Sequence, residues 1–157
     1  MKIIKGDLVQ MAAREEFDVI AHGCNCFCTM GSGIALQIKK EFPSAYIADC
    51  NSTKGDINKL GQITYSLLDH GFRKPLFIVN MYTQYQYGRD KRYADYDAIK
   101  SCMIKLGERF SAVGVKIGMP KIGCGLGGGD WNIVSKIIEE QLPNHDITIV
   151  DYETRSF

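Results

Sequence analysis

The chain has 157 residues, the length of one ordinary domain, with 45% hydrophobic and 24% charged residues. This composition excludes a disordered or collagen-like chain. Nineteen Lys and Arg against eighteen Asp and Glu leave a net charge of +1, which gives no overall field for nucleic acid or an anionic membrane. We therefore expect a single domain over residues 1–157 that binds neither membranes nor nucleic acid.

The first residues lack the apolar core of a signal peptide, and no apolar run approaches the ~20 residues of a membrane span. The sequence thus predicts a cytoplasmic protein with free thiols. Cys24, Cys26 and Cys28 alternate, and this spacing is too close for an easy tetrahedral zinc site unless the loop bends sharply. We expect neither a metal nor a cofactor.

Strand and helix patterns alternate along the chain. Short apolar segments flanked by turn residues predict strands at residues 1–5, 18–22, 61–68, 76–80, 115–119 and 147–151. Apolar stripes predict helices over 34–42, around 96–106 and over about 130–142, with Pro43 and Pro143 ending the first and the last. This alternation predicts an α/β fold, a three-layer α/β/α sandwich around a mixed, mostly parallel sheet.

Two glycine-rich loops, residues 23–33 and 123–129, each join a predicted strand to a predicted helix. Glycine lets a ligand approach the backbone closely, and the N-terminus of a helix attracts anions. The two loops together predict a phosphate-bearing ligand, most simply a diphosphate; tight turns are the alternative. The second loop also matches G-x-G-x-x-G, but it lies too near the C-terminus for a dinucleotide-binding domain.

Three side chains near these loops are candidates for catalysis. His22 ends a predicted strand, where it could attack phosphorus, move a proton or simply order the loop. Asp130 begins the last helix, where it could be a catalytic acid, an N-cap or both. Cys124 is a weaker nucleophile candidate because no histidine lies near it in sequence.

Residues 80–96 are rich in tyrosine, and residues 89–92 are basic. We interpret the tyrosine-rich segment as a flap over a ligand, with stacking on single-stranded nucleic acid as the alternative. The short basic stretch contains an acid and is typical of a solvated loop.

Four segments together resemble the macrodomain family: residues 5–8, 19–25, 30–35 and 119–131. The resemblance spans essentially the whole chain and implies an α/β/α sandwich that binds ADP-ribose or a derivative. The first loop's His-Gly-Cys-Asn and the second loop's Gly-Gly-Asp-Trp are most similar to ADP-ribose-1″-phosphate phosphatases. The neighbouring branch contains terminal ADP-ribose glycohydrolases and their DNA-directed bacterial relatives.

The resemblance also implies binding roles. Asp7 would accept a hydrogen bond from the adenine amino group, or it is a turn residue, and Leu8 would lie beside the ring. Asn25 would face the distal ribose. The diphosphate would lie between two sets of residues, namely Gly31, Ser32, Gly33 and Ile34 in the first loop and Gly123, Cys124, Gly125, Leu126, Gly127 and Gly128 in the second.

The chain departs from the glycohydrolases of this family at two positions. Those enzymes use a lysine at a strand end and an aspartate in the second loop, whereas residues 77–82 contain no lysine and Gly127 takes the aspartate's place. These departures argue against lysine-dependent deglycosylation. We expect hydrolysis of ADP-ribose-1″-phosphate with His22 and Asp130 as catalytic residues, and we expect a monomer. An ADP-ribosyl hydrolase acting on protein, nucleic acid or O-acetyl-ADP-ribose and a non-catalytic ADP-ribose reader are the alternatives.

Overall fold

Strands and helices alternate along residues 1–153, which are the part of the chain that the computed structural model describes. The last four residues of the predicted domain 1–157 lie outside that part. The strands are β1 (Lys2–Gly6), β2 (Val19–Cys24), β3 (Ile63–Leu68), β4 (Leu76–Tyr82), β5 (Lys116–Met119) and β6 (Asp146–Tyr152). The α-helices are α1 (Leu8–Ala13), α2 (Gly33–Glu41), α3 (Pro43–Cys50), α4 (Tyr96–Arg109) and α5 (Trp131–Gln141), and a 3-10 turn covers Ile57–Lys59.

The strands form one sheet in the order β1-β6-β5-β2-β4-β3. Every neighbouring pair is parallel except β3 and β4, which are antiparallel. The prediction of a mixed, mostly parallel sheet is confirmed. Parallel strands need both faces covered, which explains why the central strands are almost uniformly apolar.

Each face of the sheet packs against its own layer of helices. In β2, Val19 and Ala21 contact the core formed with α4 and α5, whereas Ile20 contacts the core formed with α1, α2 and α3. Successive side chains of a strand point to opposite faces. The three-layer α/β/α sandwich is therefore confirmed, and His22 lies on the same face as Ile20.

Two helices were not predicted. Helix α1 has six residues, too few to show a periodic stripe, and begins after its N-cap Asp7. Pro43 ends α2 as predicted, but it is also the first residue of α3, a position that suits the fixed φ of proline. Strands β2 and β4 continue two residues beyond their predicted ends, which brings Cys24 and Tyr82 into the sheet.

Within residues 1–153, none of the helices combines the length and the apolar character that a membrane crossing requires.

Candidate ligand-binding site

A cavity of about 630 Å³ opens at the carboxyl ends of β2, β4 and β5, between the two glycine loops. This volume lies within the usual range for small-molecule sites. Part of the predicted ligand-binding set lies in its wall, namely Asn25, Gly31, Ser32, Gly33, Ile34, Gly125, Leu126 and Gly127. The other predicted ligand-binding residues, Asp7, Leu8, Gly123, Cys124 and Gly128, do not line this cavity.

Side chains fix the shape of the first glycine loop. The Asn25 Oδ1 atom accepts a hydrogen bond from the backbone N–H of Phe27 at 2.8 Å, and its Nδ2 atom donates to the Thr29 hydroxyl at 2.7 Å. Cys28 and Met30 have φ angles of +56° and +40°, which non-glycine residues rarely adopt. Met30 is nonetheless buried in the core under α1–α3, so packing stabilises this strained turn.

The first loop leads into the N-terminus of α2, and three of that helix's first residues line the cavity. Ser32 is the N-cap of α2, but its hydroxyl makes no capping hydrogen bond. In contrast, Asp95 and Asp130 accept hydrogen bonds from the first turns of α4 and α5. The first-turn amides of α2 thus remain available to an anion in the cavity.

Backbone hydrogen bonds fix the second glycine loop. The carbonyl oxygen of Gly127 accepts from the N–H groups of Tyr93 and Ala94 at 2.9 and 3.0 Å, and the Gly129 N–H donates to Gly123 at 2.7 Å. Gly123 and Gly128 have φ angles of +71° and +73°, a conformation that favours glycine. The loop therefore needs glycine for its own geometry as well as for any ligand.

His22 lies in the interior, away from the cavity wall. It has 0% exposure, and its Nε2 atom lies 2.7 Å from the Oδ1 atom of Asn80. The Asn80 Nδ2 atom donates to Ala45 and Thr64, so its Oδ1 atom is the acceptor and the His22 Nε2 atom carries the hydrogen. Burial lowers the pKa of His22 to about 4, so the ring is neutral at pH 7.

Asp130 and Cys124 also lie outside the cavity wall. The Asp130 carboxylate accepts a hydrogen bond from the Asn132 N–H at 2.9 Å, which is the N-cap geometry. The Cys124 thiol donates to the Ile122 carbonyl oxygen, and burial raises the pKa of Cys124 to about 11. Cys124 is therefore a neutral thiol at pH 7 rather than an activated nucleophile.

Asp7 and Leu8 lie beside the outermost strand, β1. The Asp7 carboxylate caps α1 by accepting from the Gln10 N–H at 3.1 Å, and the Leu8 side chain is buried in the core under α1–α3. Their adenine-binding roles stay predictions, to which the structure adds a helix cap and a core contact.

The cavity wall also contains charged residues that sequence reasoning did not select. Asp49 is buried and accepts a hydrogen bond from the Tyr82 hydroxyl at 2.8 Å. The Lys121 ammonium lies 3.3 Å from Asp151. Within residues 1–153, no carboxylate lies within 4.0 Å of the Arg89 guanidinium. Arg89 belongs to the basic stretch interpreted as a solvated loop, and its place in the wall is visible only in the fold.

No three His, Cys, Asp or Glu side chains of residues 1–153 are arranged to hold a metal ion. Cys24 and Cys26 are buried thiols, and burial raises the pKa of Cys26 to about 11. The absence of a functional metal stays a prediction.

Comparison with known proteins places the chain in a family. A family model described as Macro domain matches residues 21–138. An uncharacterized 17.5 kDa protein of Enterobacteria phage T4 is 43% identical over 98% of this chain and 97% of its own length. An ADP-ribose 1″-phosphate phosphatase of Debaryomyces hansenii is 30% identical over 89% of this chain and 93% of its own length.

Human ADP-ribose glycohydrolase is likewise 30% identical, over 95% of this chain and 88% of its own length. A solved structure from Bacteroides thetaiotaomicron, of a protein of unknown function, superposes with a TM-score of 0.76 at 28% identity and covers 96% of both chains. The family match covers most of the chain, and the predicted resemblance is confirmed: this chain belongs to the macrodomain family.

Proposed function

We propose that this macrodomain binds ADP-ribose derivatives in the cavity and hydrolyses ADP-ribose-1″-phosphate to ADP-ribose and phosphate. One observation carries the binding part: the uncapped first turn of α2 and the second glycine loop line the same cavity. Arg89 and Lys121 add two cations to the wall. Backbone amides, a helix N-terminus and a guanidinium suit a diphosphate.

The named phosphatase and glycohydrolase relatives are both 30% identical to this chain, so overall identity does not decide between the two reactions. The choice therefore depends on particular residues. The end of β4 carries Asn80, Met81 and Tyr82, where glycohydrolases of this family have their lysine. Gly127 occupies the position of their aspartate. The lysine in the cavity wall, Lys121, follows β5 rather than β4 and is ion-paired with Asp151. These differences favour phosphate removal over lysine-dependent deglycosylation.

The catalytic roles of His22 and Asp130 stay predictions. Neither side chain lines the cavity, and a group that transfers a proton must come within hydrogen-bonding distance of the reacting atoms. The geometry favours structural roles instead: His22 supports the first loop, and Asp130 caps α5. Variants described below separate these structural roles from contact with substrate.

The reaction is tested by phosphate release from ADP-ribose-1″-phosphate with purified, chelator-treated protein. The same preparation is given ADP-ribosylated protein, ADP-ribosylated DNA and O-acetyl-ADP-ribose. We expect kcat/KM for phosphate release to exceed the other values by at least ~100-fold, or ~2.7 kcal/mol of transition-state preference. Faster deglycosylation would identify an ADP-ribosyl hydrolase, and binding of ADP-ribose with no turnover of any substrate would identify a reader.

The binding mode is tested with one arginine variant and one lysine variant in the basic stretch, residues 89–92. Arg89→Ala removes a guanidinium from the cavity wall and should weaken ADP-ribose binding by ~10-fold, since a hydrogen bond to a charged group contributes ~1.5 kcal/mol or more. Lys91→Ala removes a neighbouring cation that does not line this cavity and should change the affinity less than ~2-fold. Equal losses in calorimetry would show that only the general positive charge matters.

A further inference from the structure

Asp49 lies in the cavity wall on the side of β4, whereas Asp7 lies outside this wall, beside β1. Asp7 follows β1, whereas Asp49 contacts Tyr82 at the end of β4. Three strands lie between β1 and β4, so these two strands are about 19 Å apart at ~4.8 Å per strand. If adenine lies near Asp7, as the family resemblance implies, the terminal ribose extends toward Asp49.

The two oxygen atoms of the Asp49 carboxyl group differ in their surroundings. The Oδ1 atom accepts the hydrogen bond from the Tyr82 hydroxyl at 2.8 Å, which fixes the orientation of the group. The Oδ2 atom has no hydrogen-bond partner among residues 1–153, although Asp49 is only 1% exposed and forms part of the cavity wall. A buried polar atom without a partner costs ~1–3 kcal/mol, and a hydrogen bond to a bound ligand would remove that cost.

Burial also changes the protonation of this carboxyl group. Removal from water raises the pKa of Asp49, while the Tyr82 hydrogen bond and the charge of Lys59 oppose the rise. A carboxyl group with a raised pKa is suited to donate a proton near neutral pH. Because the Tyr82 hydroxyl occupies Oδ1, Oδ2 is the atom that would carry the proton of the neutral carboxyl group.

The other ionisable side chains of the wall are less suited to this role. Burial raises the pKa of the Cys24 thiol well above its usual range. Lys121 is ion-paired with Asp151, and the guanidinium of Arg89 is suited to bind phosphate oxygens. Tyr87 is 56% exposed and is not enclosed in the way that Asp49 is. Among the described residues, Asp49 supplies the one carboxyl group of this wall.

We propose that Asp49 is the catalytic residue that gives a proton to the leaving oxygen when the terminal phosphate ester is hydrolysed, a role that rests on the proposed phosphatase function. A water oxygen bonds to phosphorus as the bond between phosphorus and the O1″ atom breaks. The proton on Oδ2 passes to O1″, which becomes the hydroxyl group of ADP-ribose. The proton lost by the attacking water restores the Asp49 carboxyl group, so one water is consumed and inorganic phosphate is released.

This role predicts a kcat that falls as pH rises through the pKa of Asp49. Several ionisable groups surround the carboxyl group: Tyr82 of β4, Lys59 of the 3-10 turn, Cys24 of β2, Cys26 of the first loop, and Tyr46 of α3 itself. The Cys28 thiol donates instead to the backbone carbonyl oxygen of Asp49. Burial keeps the pKa values of Cys24 and Cys26 far above 7. Their titration is therefore separate from the limb assigned to Asp49.

The decisive variant is Asp49→Asn, which keeps the size of the side chain and an acceptor for the Tyr82 hydroxyl but cannot donate a carboxyl proton. Phosphate release should fall by ~100-fold or more in kcat, with ADP-ribose binding within ~3-fold of wild type. The residual activity should lack the falling limb of the pH profile. Asp56→Asn is the matched control, because Asp56 caps the neighbouring 3-10 turn and does not line the cavity; its activity should stay within ~2-fold of wild type.

Unchanged kcat in Asp49→Asn, or a retained falling limb, would overturn the proposal. If that variant fails to fold, Tyr82→Phe gives the answer, because loss of the hydroxyl removes a hydrogen bond that lowers the pKa of Asp49. The falling limb should then move to higher pH, and a limb that stays in place would exclude Asp49.

A binding measurement separates this proposal from the phosphatase assignment. If wild type releases no phosphate, the proposed function is wrong, but the location of Asp49 at the ligand can still be measured. Phosphate charge near a carboxyl group favours its protonated form, so ADP-ribose binding should take up protons at pH values around and above the pKa of Asp49 in the free protein. Calorimetry in two buffers of different ionisation enthalpy should detect this uptake in wild type and not in Asp49→Asn. Equal uptake in both would show that Asp49 does not face the ligand.

Discussion

Side chains stabilise the first glycine loop, whereas backbone hydrogen bonds stabilise the second. Asn25 binds two groups of the first loop, and Met30 anchors it in the core despite a positive φ angle. In the second loop, the Gly127 carbonyl oxygen accepts two N–H groups from the segment before α4. Both loops resemble phosphate-binding loops, but different substitutions would disrupt them. The first depends on its buried anchoring side chains, and the second depends on the absence of Cβ atoms.

The helices that follow the two loops also differ, in whether a side chain caps their first turn. The first turn of α2 has no side-chain cap, while Asp130 caps the first turn of α5. Amides that already donate to a capping carboxylate contribute little to binding another anion. The carboxylate already supplies both their hydrogen-bond acceptor and the negative charge that the helix N-terminus favours. We infer that α2 is the anion-binding helix of the pair.

The largest expected effect is a loss of folding stability in acid, caused by protonation of His22, the buried side chain that supports the first loop. His22 has a pKa of about 4 in the folded chain and 6.5 when exposed, so the unfolded chain binds an extra proton between these values. The stability that neutral His22 contributes is present above pH 6.5 and is lost as pH falls toward 4, by about 3 kcal/mol. Urea unfolding across this range should show the loss in wild type.

His22→Gln should remove that part of the pH dependence, because glutamine does not titrate. His70→Gln is the control, since His70 is exposed and distant from the loop in sequence. An unchanged acid transition in His22→Gln would mean that the ring is not buried in its neutral form. Activity measured at pH 7.5 on the same folded variant tests the catalytic prediction: a ~100-fold lower kcat with unchanged ADP-ribose affinity would restore His22 to the reaction.

The next effect is stabilisation by the ligand. ADP-ribose at ~100 times its Kd should raise the free energy of unfolding by ~2.7 kcal/mol, and AMP at the same concentration should do much less. Hydrogen exchange should slow most at the amides of residues 33–35 in α2, with little change at residues 131–133 in α5. Equal protection at both helices would contradict the assignment of α2 as the anion-binding helix.

A pair of alanine substitutions tests the backbone of the second loop. A Cβ atom at Gly127 would lie 2.8 Å from the Gly123 carbonyl oxygen and 3.0 Å from the Gln84 side chain, so the loop would have to shift. Gly127→Ala should cost ~1–3 kcal/mol of stability. Among residues 1–153, no atom outside the two adjacent residues lies within 4 Å of a Cβ added at Gly125, and Gly125→Ala should leave urea unfolding unchanged. Similar stabilities for the two variants would mean that the loop adapts freely.

Alternation of apolar strands and helical stripes was enough to predict the sheet and its layers, because those patterns follow directly from strand and helix geometry. Pro43 indicates the end of α2 in the sequence, but proline also suits the start of a helix, and the pattern alone does not reveal that α3 begins there. The loops were predicted because a strand, a glycine run and a helix follow one another in sequence. Asp49 could not be found this way, since its bond to Tyr82 joins α3 to a strand 33 residues away.

The alternation of side chains along a strand indicates which face of the sheet His22 occupies. His22 shares its face with Ile20, and that face packs against α1, α2 and α3. A polar side chain at the end of a buried strand can face a cavity or a helix layer, and only the neighbouring elements decide between them. Arg89 lacked any such signal, because its segment has no regular periodicity.

The smallest expected effect compares the two helix caps. Asp130→Ala should lose ~1 kcal/mol because the first turn of α5 loses the acceptor for the Asn132 N–H, whereas Ser32→Ala should lose only a few tenths because the Ser32 hydroxyl caps nothing. Asp130→Asn keeps a good capping side chain but removes the carboxylate, so both stability and phosphate release should match wild type. A fall of ~100-fold in kcat for this stable variant would give Asp130 a catalytic role that its position outside the cavity wall does not support. If Ser32→Ala instead proves as destabilising as Asp130→Ala, the first turn of α2 is capped in solution, and its amides are not open to the diphosphate.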